Sequence, residues 1–263
     1  MPFEERIDVI KEAGFDEVMI SWEDECEPYY LEKEKFPDIV RSKGLGITNI
    51  HAPFIGYNDI WEKGPAETRA LLDTFVSFVR DCHIFEIPTV VVHTNDLDLG
   101  PYKWENGLAF FSELAEAGEK YSVNIAVENV SRPFLLKGLL DAIHADHFGM
   151  CYDSSHDYML PCGRGRILEA YKDRIKALHL SDNDLRIDRH WIPGEGKIPF
   201  GEVMSEILST GVDFISYEVI ANDEWKKREP LDFCHAVRNS LDLNNNNFYL
   251  HNSGICAKLQ LIT

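Results

Sequence analysis

Short apolar runs alternate with stretches of helical period along almost the whole chain, and few folds tolerate that pattern. The runs are Phe15–Trp22, Ile47–Ile50, Thr89–Val92, Val123–Val127, Phe148–Tyr152, Ile175–Leu180 and Phe214–Tyr217. Between them, apolar residues recur at helical spacing near 3–13, 28–43, 65–85, 104–121, 134–144, 163–173, 201–210 and 225–241. The runs are apolar nearly throughout rather than alternating, as parallel strands buried on both faces are. A length of 263 residues is typical of one α/β barrel, and 44% apolar content is enough for its core. The expected fold is a TIM (β/α)8-type barrel.

The visible runs number seven where such a barrel has eight strands, and the pattern opens on a helix. The first strand is therefore the one missing, either truncated or replaced from elsewhere. Asn244 to Asn247 breaks the pattern, so the barrel is expected over 1–243 with a tail over 244–263. Within that tail, Ile255 to Ile262 is either an added strand for the first slot or part of a disordered segment, with the second favoured.

The strand ends carry the chemistry. They present His51, His93, Glu128, Asp153, His179 and Glu218, and the loops just beyond add His156, Asp188 and His190. In a parallel barrel the C-terminal strand ends open on one face, so these groups should meet in one pocket. A single strand-end histidine is more often structural than a ligand. A succession of strands ending on His, Asp or Glu is hard to explain by structure, because unpaired charges in a barrel mouth are costly to desolvate. A bound cation relieves that cost. Imidazole and carboxylate without thiolate suit Zn2+, Mn2+, Co2+ or Fe2+ rather than Ca2+. The remaining histidines, His83, His144, His147, His235 and His251, fall on helices or the tail and are read as surface or packing groups.

Other features narrow the partners. Net charge is −19, from 26 basic and 45 acidic residues, which disfavours nucleic acid as a partner. Cysteines 26, 82, 151, 162, 234 and 256 form no C-x-x-C pair, so reduced thiols are expected rather than a zinc finger. No 18-residue apolar run or signal peptide is visible, so a soluble cytoplasmic protein with no membrane partner is expected. Assembly into a homo-oligomer is left open.

The segments Asn49–Phe54 (N-I-H-A-P-F), Val90–Asn95 (V-V-V-H-T-N), Ala126–Asn129 (A-V-E-N), Cys151–His156 (C-Y-D-S-S-H), Leu178–Asp182 (L-H-L-S-D), Asp188–Gly196 (D-R-H-W-I-P-G-E-G) and Ser216–Glu218 (S-Y-E) carry a family resemblance. Together they resemble the xylose isomerase-like barrel superfamily, across about residues 3–241. That superfamily includes sugar phosphate isomerases and epimerases and the endonuclease IV type of apurinic/apyrimidinic endonuclease. The endonuclease pattern implies one metal on His51, His93 and Glu128, a second on Glu128, Asp153, His179 and Glu218, and a third on His156, Asp188 and His190. The isomerase branch implies a single catalytic metal on Glu128, Asp153, His179 and Glu218, with the other groups binding substrate or extra metal. The expected cofactor is thus one to three divalent ions (Zn2+, Mn2+ or Co2+).

The resemblance implies two chemistries. In the favoured one, a metal-chelated ketose or polyol loses a proton to one of Glu128 and Glu218 and regains it from the other. Its partner is a small-molecule sugar or sugar phosphate, with Trp22, Phe54, Trp61, Tyr102 and Trp191 as candidate walls. In the alternative, a trinuclear zinc site cleaves a phosphodiester in abasic DNA, which needs cations such as Arg132, Lys137, Arg164, Arg166, Arg186 and Arg189 at the mouth. Gly194-Glu195-Gly196 does not follow a strand as a phosphate loop would; its glycines are expected to fold the backbone closely over the site, with Glu195 fixing the loop.

Overall fold

The computed structural model describes residues 1–96, 99–159, 165–240 and 256–261. Eight strands make one sheet: β1 (Glu17–Ser21), β2 (Gly46–His51), β3 (Thr89–His93), β4 (Asn124–Glu128), β5 (Phe148–Asp153), β6 (Ile175–His179), β7 (Phe214–Val219) and β8 (Cys256–Leu261). Their order is β6-β5-β4-β3-β2-β1-β8-β7, with every ladder parallel. The sheet closes on itself just past β6. Leu180 N donates to Ser216 O at 3.0 Å, and Glu218 N donates to Leu180 O at 3.2 Å. The fold is a TIM barrel.

No strand precedes α1 among the described residues, as the sequence pattern indicated. The open slot between β7 and β1 is filled from the other end of the chain. β8 pairs with β7 from Phe214↔Cys256 to Val219↔Leu261 and with β1 at Glu17↔Lys258 and Val18↔Leu259. A β7 with one bare edge would leave a row of unpaired N–H and C=O groups, and closure removes that liability. The rest of the expected tail, together with Cys162, Arg164 and His251, lies outside the described residues.

The helices pack outside the barrel. They are α1 (Phe3–Glu12), α2 (Phe36–Ser42), α3 (Asp59–Glu62), α4 (Arg69–Ile84), α5 (Trp104–Tyr121), α6 (Pro133–Ala142), α7 (Ser154–Met159), α8 (Arg166–Tyr171), α9 (Phe200–Ser209) and α10 (Pro230–Ser240). In α1, the buried Phe3, Ile7 and Ile10 sit four and three apart on one stripe, with Glu4, Glu5 and Lys11 left to solvent. In α4 the same spacing buries Leu72, Phe75, Phe78, Val79 and Cys82. These stripes meet outward-facing strand residues such as Ile50, Val90, Val92, Ile125 and Val127, giving one continuous core.

Inside the barrel, side chains stack in layers because strand residues alternate between faces. Val91, Ala126, Cys151 and Ala177 form a small apolar layer. Two residues further along the same strands come His93, Glu128, Asp153 and His179. The polar layer therefore rests on a dry floor and faces the mouth.

Candidate metal centre

Every strand-end group expected from the sequence reaches this layer, and His156 joins them from α7 and Asp188 and His190 from the connection after β6. Glu128, only 1% exposed, is the hub. Its Oε2 lies 3.3 Å from His51 Nε2, 3.3 Å from His93 Nε2 and 3.3 Å from His179 Nδ1. Its Oε1 lies 3.0 Å from His156 Nδ1. His179 Nδ1 is also 3.0 Å from Glu218 Oε2. Ligand atoms of Glu128, Asp153, His179 and Glu218 all fall within 4.8 Å of one another, and so do those of His51, His93 and Glu128 and those of His156, Asp188 and His190.

His51 Nε2 and Glu128 Oε2 form a hydrogen bond, but much of the remaining proximity is not hydrogen bonding. His179 Nδ1, His179 Nε2, His156 Nδ1 and Asp153 Oδ2 are buried without a hydrogen-bond partner among the described residues. Buried polar atoms are normally paired, and each unpaired one costs roughly 1–3 kcal/mol. Several orphans converging from separate strands, with carboxylate oxygens between them, fit a divalent cation. Glu128, Asp153, His179 and Glu218 would hold it, and His156, Asp188 and His190 offer a further position. The donor set is nitrogen and oxygen, in keeping with the metals expected.

The groups around these atoms fix their aim. Asn129 donates from Nδ2 to Asp153 O at 2.8 Å and accepts Asp153 N at 2.7 Å, clamping the ends of β4 and β5 together. His156 N donates to Asp153 Oδ1 at 2.7 Å, which turns the first helical residues of α7 toward the mouth. Asp188 Oδ2 lies 3.0 Å from His156 Nε2 and 2.8 Å from His190 Nε2, and Ser155 Oγ donates to its Oδ1 at 2.6 Å. His51 and His190 are each oriented through Nδ1, by Ala52 O at 2.9 Å and Glu218 O at 3.2 Å.

Within the cluster, charges are held by mutual pairing. Burial raises the Glu128 carboxyl, but the His179 and His93 imidazoles outweigh it and hold the group well below the usual range. Glu218 balances burial against His179 and is held down to about 2. Burial pushes Asp153 up to about 7 against the pull of His156. Burial opposes charge on His190, yet Asp188 and Glu218 push it up to about 9. Burial keeps His93 below its usual value, against the pull of Glu128.

The aromatic walls divide. Phe54 is 69% exposed and packs on the rings of His51 and His93, at 5.7 and 4.7 Å between centroids. Tyr102 is also exposed, beside Phe134. Trp22 and Trp61 are core residues instead. Each is fully buried, with its indole N–H spent on Asp81 Oδ2 at 2.9 Å and on Thr94 O at 2.6 Å. A strand-end tryptophan looks the same in sequence whether it faces the mouth or the helices. Trp191 sits beneath Arg189, whose guanidinium carbon is 5.5 Å from the ring. Lys137 bonds Tyr171 Oη, and Arg189 bonds Asp184 Oδ2.

Two residues near the site escaped sequence reasoning. Cys151 lies with Glu128 and His179, and burial pushes its thiol up to about 12, so it is neutral. Asp182 is fully buried and organises the loop after β6. Its Oδ1 accepts Asn183 N at 2.8 Å, Lys197 N at 3.0 Å and Ile198 N at 3.0 Å, while Oδ2 accepts Gly194 N and Gly196 N, both at 2.9 Å. Gly194 has φ of +95°, and a Cβ on Gly196 would sit 2.3 Å from both Asn183 O and Asp182 Oδ1. The signal in the sequence was an aspartate at a strand end followed by a glycine pair. The glycines close on this carboxylate, and Glu195 ties the loop outward by accepting Trp225 Nε1 at 2.7 Å.

Comparison with known proteins places this geometry. Residues 7–238 match the family model described as xylose isomerase-like TIM barrel. Inosose isomerase of Bacillus velezensis is 24% identical over 241 residues, 84% of this chain and 84% of that protein. The crystal structure of D-psicose 3-epimerase with D-tagatose from Clostridium cellulolyticum H10 superposes with a TM-score of 0.73 at 13% identity, over 94% of each chain. The structure of an IOLI protein with a zinc atom superposes with a TM-score of 0.71 at 14% identity, over 95% of each chain. With the match running through nearly all of the barrel, the chain belongs to the xylose isomerase-like TIM barrel family.

Proposed function

We propose that the protein is a metal-dependent isomerase or epimerase of a small sugar or sugar phosphate, with Glu128 and Glu218 as its acid and base. The observation that carries this reading is the buried quartet Glu128, Asp153, His179 and Glu218, whose ligand atoms lie within 4.8 Å of one another. The isomerase and epimerase named among its relatives support the same chemistry. A divalent ion held there supplies a Lewis acid that polarises a ketose carbonyl and acidifies the neighbouring C–H. Glu128 and Glu218 come from β4 and β7, on well-separated parts of the barrel wall, and both are ionised at neutral pH. Either can therefore take the proton as base, and the other, once it has drawn a proton from solvent, would return one to the neighbouring carbon or the opposite face.

The test is solvent exchange. Protein loaded with Mn2+, Co2+ or Zn2+ should wash deuterium from D2O into ketoses at the carbon next to the carbonyl. Absence of exchange with every metal across a ketose panel would remove this reading. The zinc phosphodiesterase reading has one observation of its own: apart from the set that includes Cys151, the ligand groups fall into three sets, two of which share Glu128. Nicking of abasic-site duplex DNA, without exchange, would establish it instead.

A further inference from the structure

Asp188 and His190 do not sit on regular structure. They lie on the long connection between β6 and α9, and His190 itself has φ of +48°, a strained conformation for a side-chain-bearing residue. Local bonds hold its middle: Asn183 Oδ1 accepts Leu185 N at 2.7 Å, and Asp184 Oδ1 accepts Arg186 N at 3.0 Å and Ile187 N at 3.1 Å. Ile220 N donates to His190 O at 2.8 Å, and Asp182 and Trp191 exchange backbone hydrogen bonds of 2.8 and 2.9 Å. The buried anchor that joins the two ends of the connection is the Asp182 carboxylate. Its two oxygens gather backbone N–H groups from Asn183, near the start of the connection, and from its far end, Gly194, Gly196, Lys197 and Ile198. Bonds between N–H groups and an ionised acceptor are about twice as strong as neutral ones. They pin both ends of the loop to one point.

The same anchor reaches His156. Asn183, next to Asp182, donates from Nδ2 to Ser155 O and to Ser155 Oγ, both at 2.8 Å. Ser155 Oγ in turn donates to Asp188. The start of α7, which carries His156, and the loop that carries Asp188 and His190 are thus tied to a common base. Resting on the metal reading above, we propose that Asp182 is the positioning residue that sets Asp188 and His190 against His156, so that this outer triad takes a second divalent cation beside the central one. Asp182 touches neither the cation nor the substrate. It acts through the backbone, and Gly194 and Gly196 are part of the device because only glycine lets the loop wrap the carboxylate this closely.

The experiment is a Co2+ titration of metal-free full-length protein, followed by visible absorption and by metal analysis after gel filtration. The variants are D182N, G194A and H190A. Asp182→Asn turns one acceptor oxygen into an NH2 that faces N–H groups. Gly194→Ala strains only the left-handed backbone, since nothing lies within 4 Å of the added carbon, and it stands in if D182N does not fold. H190A removes an outer ligand directly and so identifies which absorption change belongs to the triad. Wild type should take up a central ion and an outer one. D182N and G194A should keep the central ion with wild-type affinity and bind the outer ion about 10-fold or more weakly, as loss of a supporting shell does. Uptake of a single ion by wild type, outer-site affinity in the variants equal to wild type, or equal weakening of both ions would overturn the proposal. Uptake of no ion by wild type would overturn the metal reading itself, which separates the two failures.

Discussion

His179 Nδ1 lies 3.0 Å from Glu218 Oε2 and 3.3 Å from Glu128 Oε2, yet it makes a hydrogen bond to neither. An imidazole nitrogen fully buried between two carboxylates has only two comfortable states. It can carry a proton, as the metal-free chain favours, or it can share a cation with both carboxylates.

Removing either glutamate's charge should stop proton transfer while leaving the barrel folded. Glu128→Gln and Glu218→Gln preserve shape but not basicity, and a positioned acid or base contributes about 10²–10⁴-fold. Deuterium exchange into the substrate should fall by at least that factor in each variant. Full exchange by either one would refute the two-glutamate mechanism.

Metal uptake should release protons and strengthen as pH rises. In the metal-free chain His156 and His179 are held well above their usual values, His190 is up to about 9 and Asp153 up to about 7. Ligands must lose these protons, so protons compete with the ion. Affinity should therefore climb from pH 6 toward about 9. The metal-free fold moves the opposite way. A histidine raised from 6.5 to about 9 stabilises the fold fully below 6.5 and loses that contribution as pH passes 9. Calorimetric titration in buffers of different ionisation enthalpy measures the proton count directly, and a count of zero at neutral pH would contradict this scheme.

Chelation should cost stability as well as activity. Free ion at 100 times its Kd stabilises a folded protein by about 2.7 kcal/mol. Thermal melts with EDTA and then with restored metal should show a reversible fall in Tm. An unchanged Tm would mean that the buried orphans are satisfied without an ion.

Phe54 and Trp61 should separate binding from stability. Phe54 is exposed beside the histidines, and burying a ring of that size contributes up to about 1.5–3 kcal/mol. Phe54→Ala should raise KM about 10-fold or more with little change in Tm. Trp61 is sealed in the core and bonded to Thr94 O. Trp61→Phe leaves that carbonyl unpaired, at roughly 1–3 kcal/mol, and should lower Tm with KM unchanged. The reverse assignment of effects would return Trp61 to the substrate wall.

The alternation of apolar runs and helical stretches determined the barrel by itself, because a strand buried on both faces admits no polar alternation. It also determined the mouth: a side chain at the end of a parallel strand has only one face to reach. His51, His93, Glu128, Asp153, His179 and Glu218 could be named on that ground alone. Tertiary structure decided what local pattern cannot encode. It placed Cys256–Leu261 between strands more than 200 residues apart in sequence at one edge, sent Trp22 and Trp61 outward into the core, and left Phe54 at the site. It also made Asp182 the anchor of the outer loop. A carboxylate's partners there are backbone N–H groups more than ten residues away, as in the Gly194, Gly196, Lys197 and Ile198 bonds, and beyond the glycine pair no side-chain identity announces them.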